Sequence, residues 1–469
     1  MKCDGKKVTD LRIAYVGGGS RGWAWTLMCD LAKEESLSGV VALYDIDKPA
    51  AMKNEVIGNR LKLREDAVGK WDYEVADTLK DALTGADFVI ISIMPGTFDE
   101  MAVDVHMPER YNLWQSVGDT AGPGGHMRAL RTIPMFVTIA EAIKEFAPKA
   151  WVINYTNPMS LCVKTLYKVF PEIKAFGCCH EVFGTQAVLA RIAKSELGFE
   201  DVKRSEVHVN VLGINHFTWF SEASIRGVDM LPVCKQYIEK YADYEKNKDA
   251  EKGTELWHAR VNRVKFDLLT KYGWLGAAGD RHLVEFMPGD TYLDSPDSVK
   301  YWGTYLTTVD SRKKGLEDRL ARSERLYNEE EQLEFKESGE EGVKLIRALC
   351  GLDRVISNVN IPNAKLQIGN LRRDAIVETN AVFSRDSIKP IAAGDLKDEV
   401  RALIAPHLEN HEDILYAAMN CDFDTSLKAF MNDPLVKAKC SEEEAKELLM
   451  DMIKATDRYL PEGWKRYYN

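Results

Sequence analysis

Short apolar runs alternate with segments of helical spacing along the first part of the chain. The helical segments carry apolar residues every three or four positions, as in WAWTLMCDLA at 23–32. This alternation is typical of βαβ units, whose parallel strands are buried on both faces. The sequence therefore predicts an α/β fold whose N-terminal domain, residues 1–195, is a Rossmann-like doubly wound parallel sheet. The apolar runs that predict its strands lie at 11–16, 40–44, 86–94, 150–154 and 173–176.

The pattern changes after residue 195. Two β segments flank GINHF at 213–217, and long amphipathic helices with a few strands follow. We therefore expect a C-terminal α+β domain over 196–469 that binds substrate, completes a metal site and mediates oligomerisation. Because no low-complexity linker separates the halves, the two domains are expected to pack closely.

Composition excludes several classes of protein. None of the windows of 18 residues is apolar enough for a membrane span, and the net charge of -11 is spread along the 469 residues. The acidic balance argues against a nucleic-acid surface. The nine cysteines show neither CxxC pairs nor a disulfide framework, and the N-terminus does not resemble a secretory signal. We therefore expect a cytoplasmic protein with reduced thiols, no nucleic-acid partner and no membrane partner.

A glycine-rich turn follows the first predicted strand. Gly17, Gly19 and Gly22 satisfy G-x-G-x-x-G between a strand and a helix, and Ser20 adds a hydroxyl. Such a turn brings backbone amides and a helix N-terminus close to a pyrophosphate. The next strand ends at Asp45, where an acid would bind the ribose hydroxyls and favour NAD over NADP. The alternative is an ordinary glycine-rich turn in a doubly wound sheet.

Polar residues cluster at the ends of later strands. Asn154 and Asn157 follow one strand, and their amides are expected to orient a sugar or the nicotinamide, although helix capping also explains Asn157. A glycine-dense loop is predicted at 118–125. Cys179 and His180 end another strand, at the sheet edge where ligands bind in α/β folds. Two buried structural cysteines beside a histidine are the alternative interpretation.

These motifs together resemble glycoside hydrolase family 4 over nearly the whole chain. Within that family, the motifs at 178–186, 209–220 and 277–286 look most like the α-galacturonidase branch, which acts on pectin fragments. The motifs that carry the resemblance are VGGGSRG at 16–22, GDTAGPGG at 118–125, NYTNPMS at 154–160, CCHEVFGTQ at 178–186, VNVLGINHFTWF at 209–220 and AAGDRHLVEF at 277–286.

The resemblance implies a fold similar to that of lactate and malate dehydrogenases, with NAD and a divalent metal, commonly Mn²⁺, as cofactors. It implies cleavage of α-galacturonides through oxidation at C3, removal of the C2 proton, elimination and addition of water. A homodimer or homotetramer is also implied. The alternatives are a sibling enzyme for neutral α-galactosides, α-glucosides or α-glucuronides, and an NAD-dependent 2-hydroxy acid dehydrogenase.

The resemblance also implies roles for individual residues. Cys179 and His216 correspond to the family's metal ligands, and His180 takes the position of the acid that protonates the leaving oxygen. His180 as a substrate-binding histidine is the alternative. For the base on C2 we expect Asp280, with Asp119 as the competing candidate.

Substrate contacts are expected from asparagine, histidine and arginine. Asn154, Asn157 and Asn215 are expected to contact the sugar, and Arg281 with His282 to bind the uronic carboxylate. Arg128 and Arg131 compete with Arg281 for that carboxylate, and an ion pair with Glu285 is the alternative role of Arg281. One further arginine, Arg372, stands in Asn-Leu-Arg where many family members have Asn-Leu-Pro, and either alters a turn, contacts the sugar or contacts a subunit.

Overall fold

The computed structural model describes residues 1–336 and 338–468. Its strands fall into two sheets, a ten-stranded sheet and a four-stranded sheet. The strands are β1 (Lys2–Cys3), β2 (Val8–Val16), β3 (Leu37–Tyr44), β4 (Trp71–Val75), β5 (Phe88–Ile91), β6 (Trp151–Asn154), β7 (Lys174–Gly177), β8 (Val207–Ile214), β9 (Phe217–Ile225), β10 (Val228–Asp229), β11 (Leu275–Gly276), β12 (Val355–Pro362), β13 (Ile376–Ser384) and β14 (Ser387–Pro390).

Helices separate most of these strands. The helices are α1 (Trp23–Ala32), α2 (Lys48–Leu61), α3 (Leu79–Leu83), α4 (Phe98–His106), α5 (Gly122–Phe146), α6 (Met159–Val169), α7 (Glu181–Leu197), α8 (Met230–Tyr241), α9 (Tyr244–Asn247), α10 (Glu255–Val261), α11 (Arg263–Tyr272), α12 (Asp280–Leu283), α13 (Pro296–Trp302), α14 (Val309–Tyr327), α15 (Gly342–Cys350), α16 (Asp398–Asn420), α17 (Phe423–Asn432), α18 (Pro434–Lys437) and α19 (Glu442–Ala455).

Six strands of the large sheet are parallel and lie in the order β4-β3-β2-β5-β6-β7. The strand order reverses between β2 and β5, and in such sheets ligands bind at that crevice, beyond the carboxyl ends of the strands. The residues of β5 are almost fully buried, as expected for a strand covered on both faces. The predicted α/β fold with a doubly wound parallel sheet is confirmed.

Helices cover both faces of this sheet. On one face, Phe136 and Ile143 of α5 pack against Val89 and Val152 of the strands. On the other, Met28 of α1 packs in a separate cluster. Apolar contacts on both faces hold the strand ends in fixed positions, so side chains just beyond those ends have a rigid support.

The second half of the chain contributes to both sheets. Strands β12, β13 and β14 extend the large sheet beyond β7 with antiparallel pairing. Strands β8 to β11 form a separate antiparallel sheet. The predicted boundary near residue 195 coincides with the end of α7, but residues 196–469 do not form a unit separate from the first sheet.

The glycine-dense segment 118–125 differs from the predicted loop. Helix α5 already begins at Gly122, so only the first half of this segment is loop. A Cβ atom on Gly125 would lie 2.3 Å from the carbonyl carbon of Thr120, and one on Gly124 would lie 2.6 Å from the carbonyl oxygen of Gly118. Glycines here let the first turn of α5 pack directly on the loop before it, which fixes the position of that loop.

Among the residues that the structure describes, none of the helices combines the length and apolar character needed to span a bilayer.

Candidate active site

The glycine-rich turn has the shape that the sequence predicts. Gly17 has a φ of 101°, and a Cβ atom there would lie 2.0 Å from the carbonyl oxygen of Ser92. The amide of Ser20 donates to the carbonyl of Gly17 at 3.0 Å, which closes the turn. A Cβ atom on Gly22 would meet nothing within 4 Å. The turn is therefore tight on its protein side and open on the side where α1 begins.

Asp45 lies beside this turn, at the end of β3. Its carboxylate accepts the amides of Gly19 and Asp47, both at 2.8 Å. Burial raises the pKa of Asp45, whereas these two hydrogen bonds lower it. Asp45 thus stiffens the turn, and its predicted contact with a ribose stays a prediction. The neighbouring Ile46 is 90% exposed, an unusual position for a large apolar side chain.

Asp119, His216 and His282 converge from three segments, and one ligand atom from each lies within 4.8 Å of the others. His216 occupies the turn between β8 and β9 with a φ of 63°. Its ring centroid is 3.8 Å from that of His282. Thr120 connects the group, because its hydroxyl donates to Asp119 at 2.6 Å and lies 3.0 Å from His216 Nδ1. Two imidazoles and a carboxylate so placed suit a divalent cation.

The charges in this group are set by burial and by neighbours. Burial, assisted by His282, lowers the pKa of His216 to about 3, so its imidazole is neutral at physiological pH. Burial raises the pKa of Asp119, but His282, His216 and Arg128 lower it more, and the net direction is down. Neutral imidazole and ionised carboxylate are the forms that bind metal.

Cys179 lies next to this group, but its sulfur is not within 4.8 Å of all three ligand atoms. The side chain of Asn215, the residue before His216, hydrogen-bonds the thiol. Burial, together with Glu378 and Glu181, raises the pKa of Cys179. The structure thus brings the predicted ligands Cys179 and His216 into one region but pairs His216 most closely with Asp119 and His282.

Glu181, a carboxylate beside Cys179 and His180 in the sequence to which no specific role was assigned, is part of the site. Its Oε2 accepts the amide of Gly279 at 2.7 Å. Its Oε1 lies 3.8 Å from Nε2 of His282 and 3.9 Å from Nε2 of His180. Burial raises the pKa of Glu181, but the nearby His282 and His216 bring it below its usual value. An ionised carboxylate therefore joins the two histidines.

His180 lies at the rim of the site, exposed to solvent. Its Nδ1 is 3.0 Å from Glu340 Oε1, and that hydrogen bond raises the pKa of the imidazole. Its ring centroid is 6.4 Å from that of Trp23, the first residue of α1, which is 39% exposed and lies 5.4 Å from Tyr155. Trp23 was missed because it fits the apolar pattern of α1, and Glu340 because it lies in a charge-rich segment without a motif.

Asp280, the predicted base, is buried and bonded to backbone amides of the protein. It is 5% exposed, and its carboxylate accepts the amides of Val264 at 2.7 Å and Lys265 at 3.3 Å, at the start of α11. The ammonium group of Lys265 is 3.4 Å away. Both oxygens therefore hold a helix N-terminus. The geometry does not favour Asp280 as a group that meets substrate.

Arg281 is largely engaged as well. One terminal nitrogen donates to the carbonyl of Ser116 and, at 2.8 Å, to the hydroxyl of Thr307. The ion pair with Glu285 considered above does not form a contact; the carboxylate of Glu285 instead accepts the amides of Val117 and Gly118. Arg281 thus supports the loop that carries Asp119.

The three predicted asparagines have different environments. Asn154 is fully buried and bonds the backbone of Thr156 through both its oxygen and its nitrogen, so its role is local. The Oδ1 atoms of Asn157 and Asn215 are buried without a hydrogen-bond partner in the described part of the chain. Nδ1 of His282 is likewise buried without a hydrogen-bond partner among the described residues. These three atoms are available to a ligand.

The guanidinium group of Arg372 bonds Asp374 and Glu412, with the latter contact at 2.8 Å. These contacts agree with a local role in a turn, and contact with the sugar or with a subunit stays a prediction.

The structure so far defines an α/β protein with a tight glycine-rich turn after β2 and an imidazole–carboxylate group in contact with Glu181, which begins α7 after β7. Comparison with known proteins gives the family. The family model described as "Family 4 glycosyl hydrolase" matches residues 12–195, and that of its C-terminal domain matches residues 211–436. The chain belongs to glycosyl hydrolase family 4 and is a glycosidase.

Individual relatives cover the whole chain. An α-galacturonidase of Lachnoclostridium phytofermentans is 61% identical over 99% of this chain and 100% of its own length. The crystal structure of a Bacillus subtilis protein named as a glucosidase, lplD, is 48% identical over 95% of this chain and 100% of its own, with a TM-score of 0.88. A Thermotoga maritima 6-phospho-β-glucosidase, solved with manganese, NAD⁺ and glucose-6-phosphate, is 20% identical with a TM-score of 0.75 over 96% of this chain and 99% of its own.

Proposed function

We propose that this protein is an α-galacturonidase that hydrolyses pectin-derived oligosaccharides with the help of NAD and a divalent cation, Mn²⁺ being the expected metal. The proposal depends on one observation above all. The group formed by Asp119, His216 and His282 is linked by contacts to the glycine-rich turn. Glu181, which begins α7 after β7, lies 3.8 Å from His282, and the ring of the adjacent His180 is 6.4 Å from that of Trp23, which follows Gly22. The relative named α-galacturonidase supports the choice of substrate.

The turn fits a dinucleotide. Gly17 allows the chain to pass against Ser92, and the open space at Gly22 leaves room for a pyrophosphate at the start of α1. Asp45, fixed on the turn by the amide of Gly19, would face the adenosine ribose and disfavour a 2′-phosphate. Gly19 and Ser20 complete the set of residues that we assign to NAD.

The imidazole–carboxylate group fits a cation. His216 and His282 would hold it through neutral nitrogens, and Asp119 supplies negative charge beside it. The unpartnered Nδ1 atom of His282 agrees with a ligand at this position. Cys179 as a further ligand stays a prediction from the family resemblance. When bound, NAD supplies a transient oxidation of the sugar, and the cation stabilises negative charge on the sugar oxygens.

Residues of the chain handle the protons. His180, whose pKa is raised by its hydrogen bond to Glu340, keeps a proton that it can give to the departing oxygen. Asp119 is ionised and lies within the group, so it is the proposed acceptor of the C2 proton, in preference to Asp280. Asn157 and Asn215 offer unpartnered oxygens to sugar hydroxyls.

The test uses metal-free, NAD-free protein and aryl glycosides. We expect release of galacturonate only when NAD and Mn²⁺ are both added, without net accumulation of NADH. A preference for aryl α-galactosides or α-glucosides would point to the neutral sibling activity. NADH formed in step with substrate consumed would point to a dehydrogenase and contradict the proposal.

Location and assembly complete the proposal. We place the enzyme in the cytoplasm, a setting that agrees with nine free cysteines. The homodimer or homotetramer is carried over from the family resemblance alone, and sedimentation analysis at micromolar concentration tests it.

A further inference from the structure

The substrate class of the proposed function carries a carboxylate at C6, which requires a cationic partner. The candidates are Arg128, Arg131 and Arg281, which the sequence offers for this carboxylate, and Lys265, which lies beside the predicted base Asp280. The question is which of them has hydrogen-bond donors left for a ligand.

Three of the four are engaged elsewhere. Arg131 is 1% exposed and pairs both terminal nitrogens with the carboxylate of Asp104. Lys265 is held by Asp280 at 3.4 Å and by the side-chain oxygen of Asn262 at 2.9 Å. Arg281 gives one terminal nitrogen to Ser116 and Thr307, and its Nε is buried without a partner among the described residues. Only its other terminal nitrogen is free, so it cannot present both terminal nitrogens to one carboxylate.

Arg128 differs from the other three. It lies in the second turn of α5, half-buried, and its Nε donates to the backbone carbonyl of Asn157 at 3.0 Å. Within 1–336 and 338–468, its two terminal nitrogens make no hydrogen bond, and no carboxylate lies within 4.0 Å of them. Since they are not among the buried unpartnered atoms either, they reach solvent. The guanidinium plane is thus anchored at one edge and free at the other.

The free edge belongs to the site. Arg128 is near enough to Asp119 to help lower the pKa of that acid. Its anchor residue, Asn157, carries one of the unpartnered buried oxygens. Burial lowers the pKa of Arg128 itself, which shows that the charge is partly removed from water without a full counter-charge. An anion that fills the gap would restore the lost solvation.

We propose that Arg128 binds the C6 carboxylate of the sugar through its two terminal nitrogens and thereby selects uronides over neutral sugars. The inference rests on the proposed function. Two parallel N–H···O bonds match the planar carboxylate and add geometric specificity to charge. The bond to Asn157 orients the fork before substrate arrives, so little side-chain freedom is lost on binding.

The test compares 4-nitrophenyl α-D-galacturonide with its C6 amide, a neutral analogue of the same shape, in the presence of NAD and Mn²⁺. The wild type is expected to prefer the acid by about 100-fold in kcat/KM, the range typical of a desolvated charge pair. In Arg128→Gln that preference should fall to within about threefold, mainly through KM, whereas Arg128→Lys should retain part of it. Arg281→Gln should keep the preference.

Two further measurements make the outcome decisive. Arg347→Gln is the matched control, a half-buried arginine that pairs with Glu34 outside the site, and it should behave as wild type. Titration of each variant with NAD should give unchanged affinity, and calorimetry with galacturonate should show binding lost only in Arg128→Gln. An unchanged acid preference in Arg128→Gln, or a loss of NAD affinity in its place, overturns the inference. A wild type that cleaves neither compound contradicts the proposed function instead.

Discussion

The glycine-rich turn and the group of polar residues around His216 are linked by contacts, but their polar atoms are satisfied in different ways. In the turn, polar groups are satisfied by the chain itself: Asp45 takes two amides with its carboxylate. In the group around His216, buried polar atoms of Asn157, Asn215 and His282 have no partner among the described residues. In the proposed function the turn would recognise its ligand by shape, and the other region by unpaired donors and acceptors.

This difference predicts two kinds of mutational effect. Substitutions in the turn should act through steric conflict, and therefore change stability and cofactor affinity together. Substitutions in the imidazole–carboxylate group of Asp119, His216 and His282 should mainly change turnover and leave the fold intact. The atoms removed there do not hold a helix or strand in place.

The largest effect is expected from His216→Ala. Loss of a neutral imidazole from the cation site should reduce kcat/KM by about 1000-fold or more, since metal stabilisation of developing charge is worth several kcal/mol. The midpoint of thermal unfolding of the metal-free protein should change little. His407→Gln is the control, a buried histidine that bonds the carbonyl of Phe286, packs on Phe217 and contributes no atom to the imidazole–carboxylate group. Equal activity loss in both variants would show that the effect is structural.

Gly17→Ala should disrupt the glycine-rich turn. At a φ of 101°, with the new Cβ atom 2.0 Å from the Ser92 oxygen, the turn must move, and about 3 kcal/mol of unfolding free energy should be lost. NAD affinity should fall at least about tenfold by fluorescence titration. Gly198→Ala is the matched control, because its φ is also positive, at 67°, but its Cβ would meet nothing within 4 Å. Unchanged NAD binding in Gly17→Ala would contradict the assignment of the turn.

Substitutions of the two candidate bases, Asp280 and Asp119, should have opposite effects on stability and turnover. Asp280→Ala should cost about 2 kcal/mol of unfolding free energy, because the amides at the start of α11 and the buried Lys265 lose their acceptor. Turnover per folded molecule should stay within a few-fold of wild type. Asp119→Asn should show the reverse pattern. Denaturant unfolding and single-substrate kinetics on the same preparations decide the question, and a severe kcat loss in Asp280→Ala would restore it as the base.

The same contrast explains how much could be predicted from sequence. The turn is contiguous: strand, glycines, helix and acid follow each other within residues 8–61, so local patterns were sufficient. In the imidazole–carboxylate group, Asp119 lies in a loop, His216 in a hairpin turn and His282 in a short helix. Their proximity depends on how the second sheet packs against the first, which periodicity does not encode.

Single buried acids illustrate the same difference. Asp280 was expected as the base because the family resemblance places such a residue in this downstream region. The structure uses it to hold the start of α11. Glu378 carried no local signal, because its three asparagine neighbours come from two other strand regions. Burial of an acid among distant neutral amides can be seen only in three dimensions.

Glu378 gives the smallest predicted effect. It is 1% exposed and accepts the amides of Asn358 at 2.6 Å and Asn215 at 3.2 Å, and burial raises its pKa from 4.5 to about 7. The folded state therefore binds more protons than the unfolded state between those pH values. The stabilising contribution is fully present below about pH 4.5 and is lost as the pH rises through about 7.

Glu378→Gln should remove this dependence. Between pH 6 and pH 8 the metal-free wild type should lose about 1 kcal/mol of unfolding free energy more than the variant, as the carboxyl group ionises without a cationic partner. Urea unfolding at both pH values measures the difference. Other buried acids such as Asp433, whose pKa burial raises to about 6, contribute equally to both proteins and cancel. A pH-independent difference would show that Glu378 does not change its protonation between pH 6 and pH 8 and would contradict the raised pKa.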